Sequence, residues 1–200
     1  MAPPVAEAPP PTTPKRSSLL KKVIIFIIAM IVVHGLMVLF AWLIIKPRPL
    51  LYTVEDGSLH GFSLANDSLN ATFDVTLRLD NRNRRMSLYY SSLDVSIWFR
   101  GQMLAFDQTG AFHQRRRNST LIEVKPEARS LRLMRDVADA LNRQKKSGNV
   151  KLDVRVRARL RFKLLMFKTW GYHLKAYCSP VVMHLDPKKW FKRTPCDVDL

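Results

Sequence analysis

Residue types that commonly carry catalysis are thinly spread in this chain. The five histidines, His34, His60, His113, His173 and His184, are scattered, and none pairs with another at metal-ligand spacing. No Gly-rich phosphate loop, His-Glu-x-x-His run or nucleophile elbow occurs. Acidic residues are few, 16 Asp and Glu against 33 Lys and Arg, and they are not paired for acid–base work. The sequence therefore reads as a non-enzyme, with no catalytic, metal-binding or cofactor-binding residues to name.

What the chain offers instead is positive charge in a pattern. Arg155, Arg157, Arg159, Arg161 and Lys163 fall on every second position between apolar residues. On a strand, alternate residues share a face about 7 Å apart, so the five cations form a ribbon of about 30 Å. The bland reading is a solvated outer face that resists edge aggregation. The functional reading is a landing strip for a polyanion, in keeping with a net charge of +17. Nucleic acid, acidic lipid headgroups and acidic polysaccharide all fit that charge, and sidedness must choose among them. A second patch, Lys188-Lys189-Trp190-Phe191-Lys192-Arg193, reads either as a membrane-interface segment or as a solvated tail with one packed aromatic.

Three sequons occur: Asn66-Asp67-Ser68, Asn70-Ala71-Thr72 and Asn118-Ser119-Thr120. Asn66, Asn70 and Asn118 are the glycosylation candidates. Only two cysteines are present, Cys178 and Cys196, which excludes a disulfide-dense scaffold and a Cys-rich zinc site. One disulfide or two free thiols both satisfy the sequence.

The elements that position these residues follow from hydropathy. Val23 to Ile45 is a run of 23 residues without Asp, Glu, Lys or Arg. As a helix it spans roughly 35 Å, enough to cross a bilayer core of about 30 Å with some tilt. It is longer than a cleavable signal's apolar region and no small-x-small site follows, so it reads as an uncleaved signal anchor. His34 and Gly35 lie near its middle, and His34, single and neutral, reads as tolerated. Trp42 and Tyr52, near its exit, fit an interfacial aromatic belt. Lys15, Arg16, Lys21 and Lys22 precede it, against Lys46 and Arg48 after it, which favours a cytoplasmic N-terminus. All three sequons follow the crossing, in agreement. An extracytoplasmic domain argues against nucleic acid and leaves acidic lipids or an acidic wall polysaccharide.

This divides the chain into a disordered Pro-rich and basic tail (1–22), the anchor (23–45), one folded domain (46–185) and a basic, aromatic C-terminal tail (186–200). In the domain, Leu69 to Leu79 alternates strictly apolar and polar, the period of a half-buried strand. Leu93 to Phe99, Ser119 to Val124, Val150 to Leu164 and a segment from Gly171 through Val182 are further strands. Ser130 to Asn142 carries a helical period, with Ser130 as a candidate cap and Gly148 beyond a basic end. The pattern predicts an antiparallel β-sandwich of about seven strands with one short helix.

The stretch Leu69–Tyr90, a tail–anchor–domain order, and the Tyr177-Cys178 and Cys196-Asp197-Val198 segments together resemble the plant late-embryogenesis-abundant group-2 superfamily. The nearest branch is the harpin-induced-like, non-race-specific-disease-resistance-like membrane proteins, with their water-stress and hypersensitive-response domain. The family's Asn-Pro-Asn and Tyr-Tyr motif stands here as Asn81-Arg82-Asn83 with Tyr89-Tyr90, lacking the proline. The resemblance implies a fibronectin-like sandwich of about seven strands with one helix and a plasma-membrane protein linked to defence or stress responses. It carries over no catalytic residue and no ligand. Two functions follow as expectations: a binding or adhesion module for protein partners or anionic surfaces, or a lipid-handling module whose interior holds an acyl chain.

Overall fold

The computed structural model describes residues 16–45, 48–164, 167–185 and 189–199. The chain divides into two compact units, Met1–Lys46 and Pro47–Leu200. The first contains α1 (Arg16–Ile45), a helix of 30 residues. Its stretch Leu19–Phe40 has a mean hydropathy of 3.0 and exposes its apolar side chains throughout. Residues 16–22, expected in the disordered tail, are the first turns of this helix. Once the apolar run is helical, adding good helix formers such as Leu and Lys at its end needs no new nucleus. Residues 1–15 and Lys46 lie outside the described residues, as does the Trp42 side chain.

The second unit is mostly β. In chain order it contains β1 (Leu51–Ala65), β2 (Ser68–Asn81), β3 (Met86–Phe99), β4 (Gln102–Thr109), β5 (Phe112–Gln114), β6 (Asn118–Val124) and β7 (Glu127–Arg132). Then come α2 (Arg135–Lys146), β8 (Asn149–Leu164), β9 (Phe167–Lys168), β10 (Tyr172–His184), β11 (Thr194–Pro195) and β12 (Asp197–Asp199). The strands pair around a closed circuit, β1-β2-β7-β4-β3-β8-β10 and back to β1. The expected fibronectin-like sandwich is thus replaced by a seven-strand barrel. Two faces are broad ladders, and two seams join them. The seams are short: Phe106 opposite Glu127 between β4 and β7, and a parallel bridge from Ser58 to His184 between β1 and β10. Bulges between Val54 and Asp56, His60 and Ser63, Tyr90 and Ser92, and Cys178 and Val181 bend the long strands. Bending and right-handed twist carry the sheet edges toward each other until they bond.

Alternation fills the interior. Leu69, Phe73, Val75, Leu77 and Leu79 of β2 face inward, as do Leu93, Val95 and Ile97 of β3, and Val150, Leu152, Val154, Val156 and Leu160 of β8. β1 shows no clean alternation, because its Glu55-Asp56-Gly57 bulge shifts the phase of Leu50, Tyr52 and Val54 against Leu59. Tyr52 is therefore in the core, 1 % exposed, and not in an interfacial aromatic belt. Asn66 and Asp67, at φ 49° and 59°, make the two-residue turn between β1 and β2.

The helix expected at Ser130–Asn142 begins later. Glu127–Arg132 pairs with β2 instead, Leu131 opposite Leu69, and Ser130 sits at φ 48° rather than capping a helix. Backbone pairing with a long neighbour outweighs a local helical period. α2 buries Val137, Ala138, Ala140 and Leu141 and leaves Met134 exposed; Gly148, just past its C-cap Ser147, takes φ +74°, beyond the basic end as its sequence position predicts. At the C-terminus β11 and β12 pair with β1 and β10, so residues 194–199 belong to the domain rather than to a separate tail.

Candidate anionic-surface interface

Several strand ends meet where the domain begins. Leu51 stands opposite Asp80, Asn81 opposite Asn118, and Met86 opposite Leu164. Three segments cross this proximal end: residues 48–50, the turn 82–85 and the turn 115–117. Buried amides tie them together. The Asn81 side chain donates to the carbonyls of Met86 and Arg115, at 3.0 and 3.1 Å. Its Oδ1 accepts from the Asn83 backbone N–H at 3.1 Å. Asn83 in turn grips Arg48 at two points: the Arg48 N–H donates to Oδ1 at 2.7 Å, and Nδ2 donates to the Arg48 carbonyl at 3.0 Å. The Asn83 carbonyl accepts from the Arg117 N–H at 3.1 Å. Gln114, fully buried, donates to the carbonyls of Leu79 and Asn118. Asn81 and Asn83 are thus structural clamps, 1 % and 2 % exposed. Without partners such groups would cost about 1–3 kcal/mol each.

The Tyr pair supports the same end from within. Tyr90 shares a 2.8 Å hydroxyl–hydroxyl hydrogen bond with Tyr52 and stacks on Phe112. Burial raises both phenols: Tyr52 well above its ordinary value, and Tyr90 to about 12. Tyr89, on the outer face, stacks on His113.

What the clamps present is arginine. Arg48, Arg82, Arg84, Arg115, Arg116 and Arg117 are all exposed, and the main chains of Arg48, Arg115 and Arg117 are bonded to Asn81 or Asn83. A surface cleft of about 390 Å³ runs between Arg48, Arg82, Arg84 and Arg117. Asp80 also lines it and is engaged by Arg78 at 3.3 Å. A second cleft, of about 520 Å³, joins Arg85, Arg115 and Arg116 to Lys163. Trp170, in the connection from β8 to β10 at this end, is 90 % exposed. Arg82, Arg84 and the run Arg115-Arg116-Arg117 are not among the candidates the sequence offers. Two arginine-rich turns, each at a strand end, were the available signal.

The ribbon predicted on β8 lies on the outer face, but it is not uniform. Arg157, Arg159 and Arg161 are exposed, while Arg155 and Lys163 are half-buried. The Arg155 guanidinium stacks 4.1 Å from the Trp98 ring centre and 5.6 Å from that of Tyr177. Asp94 is opposite Arg157 on β3, and Asp197 and Asp199 line a cleft with Arg155 and Arg157. Toward Lys163 those acids are gone and the ribbon runs into the second proximal cleft.

The remaining sequence candidates fall as follows. Asn66 and Asn70 are exposed near the far hairpin, and the Asn70 side chain accepts from the Ser130 N–H at 2.7 Å. Asn118 is exposed at the proximal end and lines the arginine cleft. Cys178 and Cys196 form a disulfide, with an S–S distance of 1.98 Å. In the C-terminal patch, Phe191 packs over Gly57, Trp190 is 81 % exposed, and Arg193 pairs with Glu55 at 2.5 Å; Lys188 lies outside the described residues. Ser58, His60 and Asp74 come together, but Ser58 Oγ and Asp74 Oδ2 both approach His60 Nε2, at 3.0 and 3.2 Å. A relay needs the two ring nitrogens to face different partners, so this cluster is not a nucleophilic triad. Among the described residues no group of three or more His, Cys, Asp and Glu side chains is placed to hold a metal ion.

Residues 76–178 match a family model described as late embryogenesis abundant protein (LEA_2). An uncharacterized Arabidopsis thaliana protein is 30 % identical over 170 residues, covering 83 % of this chain and 77 % of its own length. Arabidopsis NDR1/HIN1-like protein 2 is 30 % identical over 169 residues (81 % and 70 %), and NDR1/HIN1-like protein 3 is 28 % identical over 175 residues (84 % and 75 %). The matched span runs from β2 to the first cysteine of the disulfide and contains the Asn81–Asn83 clamp and the β8 ribbon. This chain belongs to the late embryogenesis abundant LEA_2 family, alongside the NDR1/HIN1-like proteins.

Proposed function

We propose that this is a non-enzymatic, single-pass plasma-membrane protein of plant stress or defence responses. Its N-terminus is cytoplasmic and its barrel lies outside the cell, glycosylated, as a binding or adhesion module for protein partners or anionic surfaces such as an acidic wall polysaccharide. Family membership supports the stress and defence link, and the apolar α1 supports the anchor. The observation that carries the binding role is the exposed Arg157-Arg159-Arg161 segment of β8. Its charge sits on a rigid central strand and most of its length faces solvent, so it meets a flat polyanion without rearrangement. The lipid-handling alternative is disfavoured, because inward positions of the barrel strands carry buried apolar side chains where an acyl chain would have to lie.

The test is replacement of Arg157, Arg159 and Arg161 by Ser in the full chain, with binding to polygalacturonate measured against ionic strength. Weaker, salt-dependent binding with unchanged folding is expected. Binding that is unaltered by the substitutions and by salt rejects the role of the ribbon. Glycosidase digestion combined with protease protection tests the sidedness.

A further inference from the structure

We infer that the proximal end of the barrel is a second site, which docks on phosphate-bearing anionic headgroups of the bilayer that holds α1. The inference rests on α1 being a membrane anchor. It needs neither the plasma membrane nor a particular side of it.

Distance comes first. α1 ends at Ile45 and Arg48 follows three residues later. Three residues of extended chain reach about 10 Å at most. Whatever the orientation of the two units, Arg48 stays within that reach of the helix end. Asn83 holds the Arg48 main chain at two points, and Asn81 and Asn83 bind those of Arg115 and Arg117. The turns 82–85 and 115–117 are therefore fixed to the same tether. The part of the barrel nearest the anchor in chain length therefore carries exposed arginines from three segments.

Chemistry comes second. The cleft between Arg48, Arg82, Arg84 and Arg117 presents guanidinium groups, whose planar forks suit phosphate oxygens. Among the described residues, the one carboxylate lining it, Asp80, is already engaged by Arg78. Trp170 is 90 % exposed in a connection at the same end. An indole so exposed is costly in bulk water and favourable at a headgroup boundary, where one edge is wet and the ring is not. Cations with an exposed aromatic at the same end fit a lipid interface better than a hydrated polysaccharide. Asn118 sits in the wall of the cleft. A glycan there would fill it, so docking requires this sequon to be bare.

The test uses the full chain in nanodiscs of phosphatidylcholine, with or without phosphatidylglycerol, carrying a nitroxide on the choline headgroup. The chain has four tryptophans, Trp42, Trp98, Trp170 and Trp190, so quenching of Trp170 is read as the difference from Trp170→Phe. Trp170 should be quenched in the anionic discs, much less in the neutral ones, and released by salt. Each of Arg84→Gln, Arg116→Gln and Arg117→Gln should lower the docked-to-undocked ratio by about fivefold at low salt. Arg84→Lys, Arg116→Lys and Arg117→Lys, which keep the charge but lose the planar fork, should restore only part of it. Equal quenching in both discs, or quenching indifferent to salt in the unaltered protein, overturns the inference even where a variant fails to fold. A glycan found on Asn118 of the plant-expressed protein overturns it too. Failure of the chain to enter the discs at all refutes the anchor and with it the docking. Incorporation without headgroup quenching refutes the docking alone.

Discussion

The two cationic regions of the barrel are built in opposite ways. The β8 ribbon comes from one segment, in which every second residue between Arg155 and Lys163 is basic and the strand period puts them on one face. The proximal arginines come from three segments, residues 48, 82–85 and 115–117, as far apart as 69 positions, gathered by Asn81 and Asn83. The ribbon therefore depends on β8 alone for its spacing, and single substitutions should subtract one charge each. The proximal site depends on buried amides that carry no charge, and losing one should disperse several arginines together. Cooperative assembly makes the second site the more fragile one.

The largest expected effect separates the two regions directly. Asn81→Ala leaves the Met86 and Arg115 carbonyls and the Asn83 N–H without their partner. Destabilisation of about 2–4 kcal/mol is expected in urea unfolding. Headgroup docking should fall further than ribbon-dependent polygalacturonate binding in the surviving folded protein. Equal loss of both would mean the two regions are one surface. Next, Arg157→Ser, Arg159→Ser and Arg161→Ser together should lower polygalacturonate association by about tenfold at low salt. Their cost in stability should stay near 0.5 kcal/mol each, as for exposed side chains. A large fall in stability would show that the ribbon, too, is held by packing.

Within the ribbon the comparison sharpens. Arg155→Ser removes the stack on Trp98 and should cost about 1 kcal/mol, whereas Arg159→Ser should cost close to nothing; thermal melts of the two variants decide it. The smallest effect at neutral pH is in the buried Tyr52–Tyr90 pair. Burial raises both phenols in the folded protein above the ordinary value near 10, which the unfolded chain retains. The unfolded state therefore releases protons first. The neutral pair's contribution is whole below pH 10 and is lost as pH rises from there through the folded value, about 12 for Tyr90. The double variant Tyr52→Phe with Tyr90→Phe should flatten the stability profile between pH 10 and 12 and leave it unchanged in shape below pH 9. A slope as steep as in the parent would place the alkaline sensitivity elsewhere.

Period and composition were enough for some elements. Leu69–Leu79, Leu93–Phe99 and Val150–Leu160 alternate without interruption, and each buries the predicted face. The apolar run made α1 legible, and Gly148 marked the end of α2. β1 was not legible, because acidic residues and a glycine at its bulge break the alternation, although its pairing with β2 extends from Leu51 to Ala65. Leu131 was misread for a related reason. Its spacing to Met134, Val137 and Leu141 is helical, but an open edge of β2 was there to pair with it.

By itself the sequence determined a helix able to span a bilayer, strands with one apolar face each, and a strand whose other face is cationic. Those features are local, since they depend only on residues a few positions apart. Only the tertiary structure decided that the sheets close into a barrel, that Tyr52 points inward, and that Asn81 and Asn83 gather the arginines of three distant segments around Arg48. These last depend on bulges, and on seams and buried hydrogen bonds between residues more than 20 positions apart, which no period along the chain records.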